Sequence, residues 1–211
     1  MSQESTLREQ ICEFGKSMYE RGLTPGSSGN ISARLDDGWL MTPTNACLGR
    51  LDPAKLTRLD AVGMLMDGDP PTKESFLHQA MYEERPKAGA VVHLHSTHAV
   101  AVSCLADVDA ADVLPPITAY YVMRVGRLPL VPFYLPGDRL LAEAVRKLAS
   151  RHSAVLLANH GPVVAGTSLA NAVYAVEELE ETAKLHLLLH GHKLRPLTPA
   201  QVQQVLEKFP S

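Results

Sequence analysis

The sequence predicts a layered α/β domain. Three long amphipathic helical patterns alternate with short apolar segments, and a hairpin-rich strand region precedes most of them. Strands that alternate with helices bury their apolar faces by packing the helices on a sheet. The chain has 211 residues, which is enough for one full-sized domain. We expect residues 1–211 to form that domain, with a C-terminal tail from about residue 191.

The first half begins with a helix and continues with strands. Residues 6–21 carry apolar side chains at helical spacing, which predicts a helix with one buried face. Strands are expected at residues 31–35 and 39–42, because an Asp-Gly pair between them tolerates the positive φ of a tight hairpin. A third strand is expected within residues 59–66.

The second half alternates helices with strands. Helices are expected at residues 73–84, with Thr72 as the cap, at 138 to about 150 and at 168 to about 189; strands are expected at 90–93, 130–134 and 154–158. The last helix has an apolar stripe. Its glutamates within residues 177–181 are expected to face solvent.

Composition and charge exclude several classes of partner. The formal net charge is −3 and the basic residues are dispersed, so we expect no nucleic acid partner. Membrane insertion is not expected either, because no run approaches the roughly 18 apolar residues of a span. The N-terminus lacks the apolar run of an export signal, and the three cysteines lie far apart. These features favour a cytoplasmic protein.

The clearest chemical feature is the segment VVHLHSTH. His93 and His95 lie two residues apart at the end of an apolar strand, so their side chains point to the same side. Zinc typically takes about four ligands from His, Cys, Asp or Glu. The pair can therefore supply half of a metal site, although histidines at such spacing also occur in cores and on surfaces with backbone partners.

Two further residues can complete such a site. His160 follows the apolar run AVLLA, at the point where a strand ends. Glu74 opens a helix, where the helix dipole favours its negative charge. Three histidines and one carboxylate suffice chemically for Zn(II), but spacing alone does not show that they converge. We interpret His78 and His98 as supporting or packing residues.

Two loops contain the ingredients of an anion site. The segments GSSGNIS and TPTNACLG combine small residues with hydroxyls and exposed backbone N–H groups. Lys73 would add a positive charge near such a pocket. Each feature also fits an ordinary turn or a solvated lysine.

Taken together, these residues give a chain that resembles the class II aldolase family of metal-dependent sugar-phosphate aldolases and epimerases. The resemblance spans nearly the whole chain and is carried, in order, by GSSGNISAR, MTPTN, PTKESFLH, AVVHLHSTHAVAVS, VPFYLPGD, LLANHGPVVAG and EELEETAK. Within the family, the chain is most similar to the branch that decarboxylates 3-oxo-tetronate 4-phosphates. This similarity lies in the segments TPTNACLGRLDP, PTKE, AYYVMRVG and NHGPVVAG.

The resemblance implies a three-layer α/β/α fold with a central, mainly antiparallel sheet. It implies that Zn(II) or another divalent metal is held by Glu74, His93, His95 and His160. It also implies substrate contacts from Gly29, Asn30, Thr44, Asn45, Thr72 and Lys73. Glu74 takes the position of the catalytic carboxylate, and a catalytic tyrosine from a neighbouring subunit aligns best with Tyr120 and less well with Tyr121. Family members are commonly homotetramers.

The implied activity is that of a lyase in sugar-acid catabolism. The expected reaction converts a 3-oxo-tetronate 4-phosphate into dihydroxyacetone phosphate and CO2 through a metal-stabilised enediolate. Two departures from the aldolases bear on the substrate: Lys73 stands where a serine is usual, and Asn45 stands where a glycine is usual. The extra cation favours a substrate that carries a carboxylate as well as a phosphate. The alternatives are a sugar-phosphate aldolase or 4-epimerase and, more remotely, a non-catalytic scaffold like the adducin head.

Overall fold

A single eight-stranded sheet forms the centre of the structure, a computed structural model that describes residues 2–135 and 137–209. Its strands are β1 (Asn30–Leu35), β2 (Gly38–Met41), β3 (Thr57–Asp60), β4 (Leu65–Asp67), β5 (Ala90–His93), β6 (Leu130–Val131), β7 (Ala154–Leu157) and β8 (Gly161–Gly166). They lie in the order β4-β3-β2-β1-β5-β8-β7-β6. All neighbouring pairs are antiparallel except β6 and β7, so the prediction of a mainly antiparallel sheet is confirmed.

Helices cover both faces of the sheet. They are α1 (Gln3–Glu20), α2 (Ser75–Glu84), α3 (Thr97–Ser103), α4 (Ala119–Arg124), α5 (Arg139–Ala149), α6 (Leu169–Leu188) and α7 (Pro199–Lys208), with single 3₁₀ turns at Leu48–Arg50 and Pro53–Lys55. Helices α2 and α5 pack on one face, whereas α1, α3, α4 and α6 cover the other. The predicted three-layer α/β/α fold is therefore confirmed.

The alternation of strand side chains separates two cores. On β1, Ile31 and Ala33 point into the core beneath α1 and α6, while Asn30 and Ser32 point toward α2. Strands β5 and β7 are buried along their whole length, which explains why they read as continuous apolar runs. The face that carries Asn30 and Ser32 is the face on which the polar cluster described below is built.

Residues 57–67 form a hairpin rather than the single strand predicted within 59–66. Between β3 and β4, the side chain of Asp60 accepts hydrogen bonds from the N–H groups of Val62 and Met64 at 3.0 and 2.8 Å. Gly63 adopts a φ of 86°, which glycine tolerates readily. Apolar residues on both sides of this turn concealed it in the sequence.

Two other predicted boundaries change. Helix α2 begins at Ser75, and Thr72 does not cap it; instead the Thr72 hydroxyl accepts a hydrogen bond from the N–H of Glu74 at 3.4 Å. Strand β6 spans two residues rather than five. Pro129 and Pro132 flank it, and proline has no N–H with which to extend a ladder.

The remaining predicted helices and strands are confirmed with small shifts at their ends, but α3, α4 and β8 were not predicted. Helix α7 in the tail lies against α4. None of the helices in the described ranges combines the length and apolar composition needed to cross a bilayer. Pro136 of the VPFYLPGD segment and the last two residues of the tail lie outside the described residues. The division into one domain and a tail stays a prediction.

Candidate functional site

Four polar side chains converge at one end of the sheet. His93 is the last residue of β5, His95 follows two positions later, and His160 occupies the turn between β7 and β8. Glu74 immediately precedes α2. Because β5 pairs antiparallel with β8, with His93 opposite Val163, the end of β5 lies beside the start of β8. This pairing brings the three imidazoles together.

The donor atoms of these four residues are separated by the distances expected of ligands to one cation. Nε2 of His95 lies 3.1 Å from Nε2 of His93 and 3.1 Å from Nε2 of His160. The Glu74 carboxylate lies 3.1 Å from Nε2 of His160 and 3.5 Å from Nε2 of His93. A tetrahedral zinc ion with ligands at about 2.0–2.1 Å separates neighbouring ligand atoms by about 3.3 Å. The cluster thus fits a divalent cation.

Burial favours the neutral form of His93 and His95, which is the form that binds metals. Burial lowers the pKa of His93 to about 4, although the nearby Glu74 carboxylate opposes this shift. Burial, and then the adjacent His160, also lower the pKa of His95. The ring of His93 donates from Nδ1 to the carbonyl oxygen of Pro162 at 2.9 Å. A carbonyl oxygen only accepts, so Nδ1 carries the proton and Nε2 presents its lone pair to the cluster.

The carboxyl group of Glu74 is held in its ionised form. Burial alone would raise its pKa, but the nearby His93, the contact with His160 and a hydrogen bond from Asn30 together lower the pKa well below its usual value. Asn30 donates from Nδ2 to Oε2 of Glu74 at 2.8 Å. Imidazole lone pairs and a carboxylate that face one point repel one another, and a cation between them relieves that repulsion.

The residues for which the resemblance implies substrate contacts lie on three loops near this cluster. They are Gly29, Asn30, Thr44, Asn45, Thr72 and Lys73. The N–H of Thr44 donates to the carbonyl oxygen of Pro70 at 2.9 Å, which joins the second loop to the third. Asn30 Nδ2 lies 3.5 Å from Thr72 Oγ1, which joins the first loop to the third. The three loops are therefore neighbours beside Glu74.

Backbone conformation explains two positions in these loops. Gly29 has a φ of 78°, and a Cβ there would lie 3.0 Å from the carbonyl oxygen of His93. A side chain at this position would press against the strand that carries the cluster. Asn45 has a φ of 57°, in the left-handed region that glycine adopts freely and asparagine tolerates. Asparagine at this position is therefore compatible with a loop shape that glycine would also adopt.

Open space borders the cluster. A cavity of about 510 Å³ is lined by His95, Thr97, Val100, Phe133, Tyr134, Asn159 and His160. Another cavity, of about 500 Å³, lies at the opposite end of β8 beside Gly166, and none of the four cluster residues lines it. A small molecule in the first cavity can reach His95 and His160, because both side chains line it.

The two tyrosines at the start of α4 differ in accessibility. The side chain of Tyr120 is 61% exposed, whereas Tyr121 is 1% exposed and belongs to the core beneath α6. Only Tyr120 is therefore accessible to a neighbouring molecule.

Sequence reasoning missed the burial of one glutamate and the partners of one histidine near the cluster. Glu180 was expected in solvent with the other glutamates of α6, and this expectation is wrong because its side chain is buried and accepts hydrogen bonds from the N–H groups of His98 and Ala99. His78 was interpreted as a supporting or packing residue, but its partners were not foreseen. It is fully buried and bonded to Asn30, the residue that holds Glu74.

Known proteins share both the sequence and the architecture of this chain. The family described as the class II aldolase and adducin N-terminal domain matches residues 9–187. A 3-oxo-tetronate 4-phosphate decarboxylase from Cupriavidus necator is 53% identical over 189 residues, which cover 90% of this chain and 87% of that protein. An L-fuculose phosphate aldolase from Escherichia coli K12 is 32% identical over 211 residues, which cover 98% of this chain and 95% of that protein.

A solved structure shares the architecture of this chain. The crystal structure of YgbL from Escherichia coli superposes with a TM-score of 0.95 at 45% sequence identity, covering 97% of this chain and 99% of YgbL. Both the match to the family over residues 9–187 and the shared fold support the same assignment. The chain belongs to the class II aldolase family.

Proposed function

We propose that this protein decarboxylates a 3-oxo-tetronate 4-phosphate to dihydroxyacetone phosphate and CO2. The observation that carries the proposal is the convergence of Glu74, His93, His95 and His160, whose donor atoms all lie within 4.8 Å of one another. Loss of CO2 from a 3-oxo acid leaves negative charge on the C3 oxygen, and charge of this kind needs electrostatic stabilisation. The relative from Cupriavidus necator, which is named for this reaction, supports the choice of substrate class.

Zinc is the proposed cation. Three imidazoles and a carboxylate are ligands that zinc accepts readily, and these four residues would hold it. When bound, the cation supplies Lewis-acid stabilisation of the developing enediolate charge. Catalytic zinc sites commonly keep three protein ligands and one open position. Among the four residues, Glu74 is the one with a second use, because a carboxylate released from its place can carry a proton.

The reaction breaks the bond between C1 and C2. The electron pair of that bond passes into the enediolate formed between C2 and C3, and a proton is then added at C2. Glu74 and Tyr120 are the proposed proton carriers. Tyr120 would enter the site of a neighbouring subunit, so its role rests on the proposed homotetramer. Its exposure on α4 supports this arrangement.

Loops beside Glu74 are proposed to bind the charged ends of the substrate. Gly29 to Asn30 and Thr44 to Asn45 would hold the phosphate through backbone N–H groups and the threonine hydroxyl. Thr72 and Lys73 would add a hydroxyl and a positive charge. We assign Lys73 to the substrate carboxylate, which an aldolase substrate lacks. We also propose that the protein is located in the cytoplasm.

The deciding experiment measures both possible products. Purified zinc-loaded protein is given each stereoisomer of 3-oxo-tetronate 4-phosphate, and CO2 and dihydroxyacetone phosphate are quantified; fuculose 1-phosphate is tested in parallel for aldehyde release. Equal amounts of CO2 and dihydroxyacetone phosphate are expected, with activity lost in Glu74→Gln. Aldehyde release without any decarboxylation would favour the aldolase, the second candidate, which shares the enediolate and is supported by the relative at 32% identity.

A further inference from the structure

A continuous series of buried hydrogen bonds leads to the carboxylate of Glu74. Tyr82 Oη lies 2.8 Å from Ser32 Oγ, and that hydroxyl lies 2.7 Å from Nδ1 of His78. On the other side of the ring, Nε2 of His78 lies 2.5 Å from Oδ1 of Asn30. Asn30 Nδ2 then reaches Oε2 of Glu74 at 2.8 Å. We call these bonds the Glu74 hydrogen-bond network.

The Glu74 hydrogen-bond network is buried. Ser32 and His78 are 0% exposed, Asn30 is 3% exposed and Tyr82 is 7% exposed. Ser32 and Asn30 lie on the face of β1 that turns toward α2, and His78 and Tyr82 lie on the facing side of that helix. Buried polar groups are almost always hydrogen-bonded, so each member depends on its neighbours for a partner.

The ionised state of the Glu74 carboxylate determines the donor and acceptor roles in the Glu74 hydrogen-bond network. An ionised carboxylate only accepts, so Asn30 must turn its NH2 group toward Glu74 and its oxygen toward His78. That oxygen also only accepts, so His78 carries its proton on Nε2. Its bare Nδ1 then accepts from the hydroxyl of Ser32, whose oxygen accepts from Tyr82. In each of these hydrogen bonds, the donor is therefore the residue farther from Glu74 in the series.

We propose that His78 is a positioning residue that fixes the orientation of Asn30 and, through it, the carboxylate of Glu74. The Glu74 carboxylate and the Nε2–H of His78 select the same orientation of the Asn30 amide, and without His78 the buried Oδ1 loses its donor. A rotated amide would place its oxygen against the carboxylate. The amide group cannot relay a proton along the series, so His78 acts on geometry. This inference rests on the proposed function, because it requires Glu74 to bind the cation or carry the proton.

Two substitutions of His78 test the proposal. His78→Leu fills the space without a donor, whereas His78→Gln places an amide nitrogen near the position of Nε2. Zinc is titrated into metal-free protein against a chelator of known affinity, and kcat and KM are measured with the proposed substrate. Groups that orient metal ligands typically contribute about 10–100-fold to metal affinity or activity. We expect losses of that size in zinc affinity and kcat for His78→Leu, with KM less affected, and a return to within about threefold of wild type for His78→Gln.

A serine pair keeps the test decisive if His78→Leu does not fold. Ser32→Ala removes the donor to Nδ1 of His78, one of the two groups that hold the ring in place, and it should weaken zinc binding. Ser103→Ala is the matched control, because Ser103 is also buried and its hydroxyl bonds only locally, to the carbonyl oxygen of Val100 at 2.7 Å. The control should bind zinc as the wild type does.

The outcomes separate this proposal from the proposed function. Unchanged zinc affinity and kcat in the His78 and Ser32 variants, while Glu74→Gln binds zinc poorly, would overturn the positioning role alone. Unchanged zinc affinity in Glu74→Gln would instead overturn the assignment of the cluster. A His78→Leu protein that melts at a lower temperature but retains zinc affinity and kcat would show a purely structural role, and this also overturns the proposal.

Discussion

Glu180 is bonded twice to His98. One carboxylate oxygen accepts from the backbone N–H of His98 at 2.9 Å and lies 2.7 Å from its ring Nδ1, and the other accepts from the N–H of Ala99 at 2.9 Å. These N–H groups belong to the first turn of α3, which begins two residues after His95. A buried carboxylate of α6 therefore caps the helix that follows the cluster histidines, where the helix dipole favours negative charge.

Replacing Glu180 should destabilise the fold. Glu180→Ala leaves two backbone N–H groups of α3 without their acceptor, and such losses cost about 1.5–3 kcal/mol. Urea unfolding of the metal-free protein measures the effect. The matched control is Glu181→Ala, since the side chain of Glu181 is 58% exposed, and it should change stability by less than about 0.5 kcal/mol. Equal effects at the two positions would contradict the capping role.

Cation binding should stabilise the folded protein through the cluster. A ligand that binds only the native state at about 100 times its Kd raises the free energy of unfolding by about 3 kcal/mol. Zinc added to metal-free protein should produce this shift. In His95→Ala the shift should disappear at the same zinc concentration, because a direct ligand matters more than the groups that orient it. His190→Ala removes an exposed histidine and should retain the shift; a shift of equal size in His95→Ala would argue against the ligand set.

Lys73 should contribute to substrate selection. A charge-assisted contact contributes about 1.5–3 kcal/mol, so Lys73→Ser should lower kcat/KM for the 3-oxo acid by about 10–100-fold. Steady-state decarboxylation assays measure this change, with Lys147→Ser as the control at an exposed lysine of α5. Decarboxylation at the wild-type rate by Lys73→Ser would remove the reason for preferring an acidic substrate.

The sequence allowed much of the fold to be predicted, because several elements carry strong local patterns. The apolar stripes of α1, α5 and α6 identify those helices. Strand β7 is apolar throughout, and β5 is apolar up to His93, because both faces of these strands are buried. Strand β8 was missed because its segment GPVVAG begins and ends with glycine, which resembles a loop. Its identity as a strand depends on pairing with β5, a contact that local propensity does not encode.

The four cluster residues could be named as candidates from the sequence, but most of the contacts that hold them in place could not. His93 and His95 share a face by strand spacing alone, whereas their meeting with Glu74 was implied by the family resemblance. Glu180 lies in an acidic run typical of a solvated helix face, and only the distant start of α3 explains its burial. Glu74 and His78 lie four residues apart, which is the spacing of neighbours on one helix face. Glu74 instead precedes α2, so the two residues are linked through Asn30.

Burial of His78 should make stability depend on pH. Burial lowers the pKa of His78 from 6.5 to about 3, with a smaller contribution from His93. At pH values between these two, the unfolded chain binds a proton at this position and the native protein does not. The free energy of unfolding therefore falls as the pH decreases below about 6.5, by about 1.4 kcal/mol for each pH unit once the unfolded-state histidine is fully charged.

His78→Gln isolates this effect, because glutamine does not titrate. Urea unfolding of metal-free protein at intervals between pH 5 and 7 should show a less steep loss of stability toward acid in His78→Gln than in the wild type. The difference in slope should approach one proton near pH 5, since other buried groups, including His93, titrate in both proteins and cancel. Ser103→Ala should retain the wild-type slope, because it alters a buried hydrogen bond without removing a titratable group. Parallel slopes for His78→Gln and the wild type would mean that the native protein accepts a proton at His78 as readily as the unfolded chain does, which would contradict the effect of burial on the pKa of this ring.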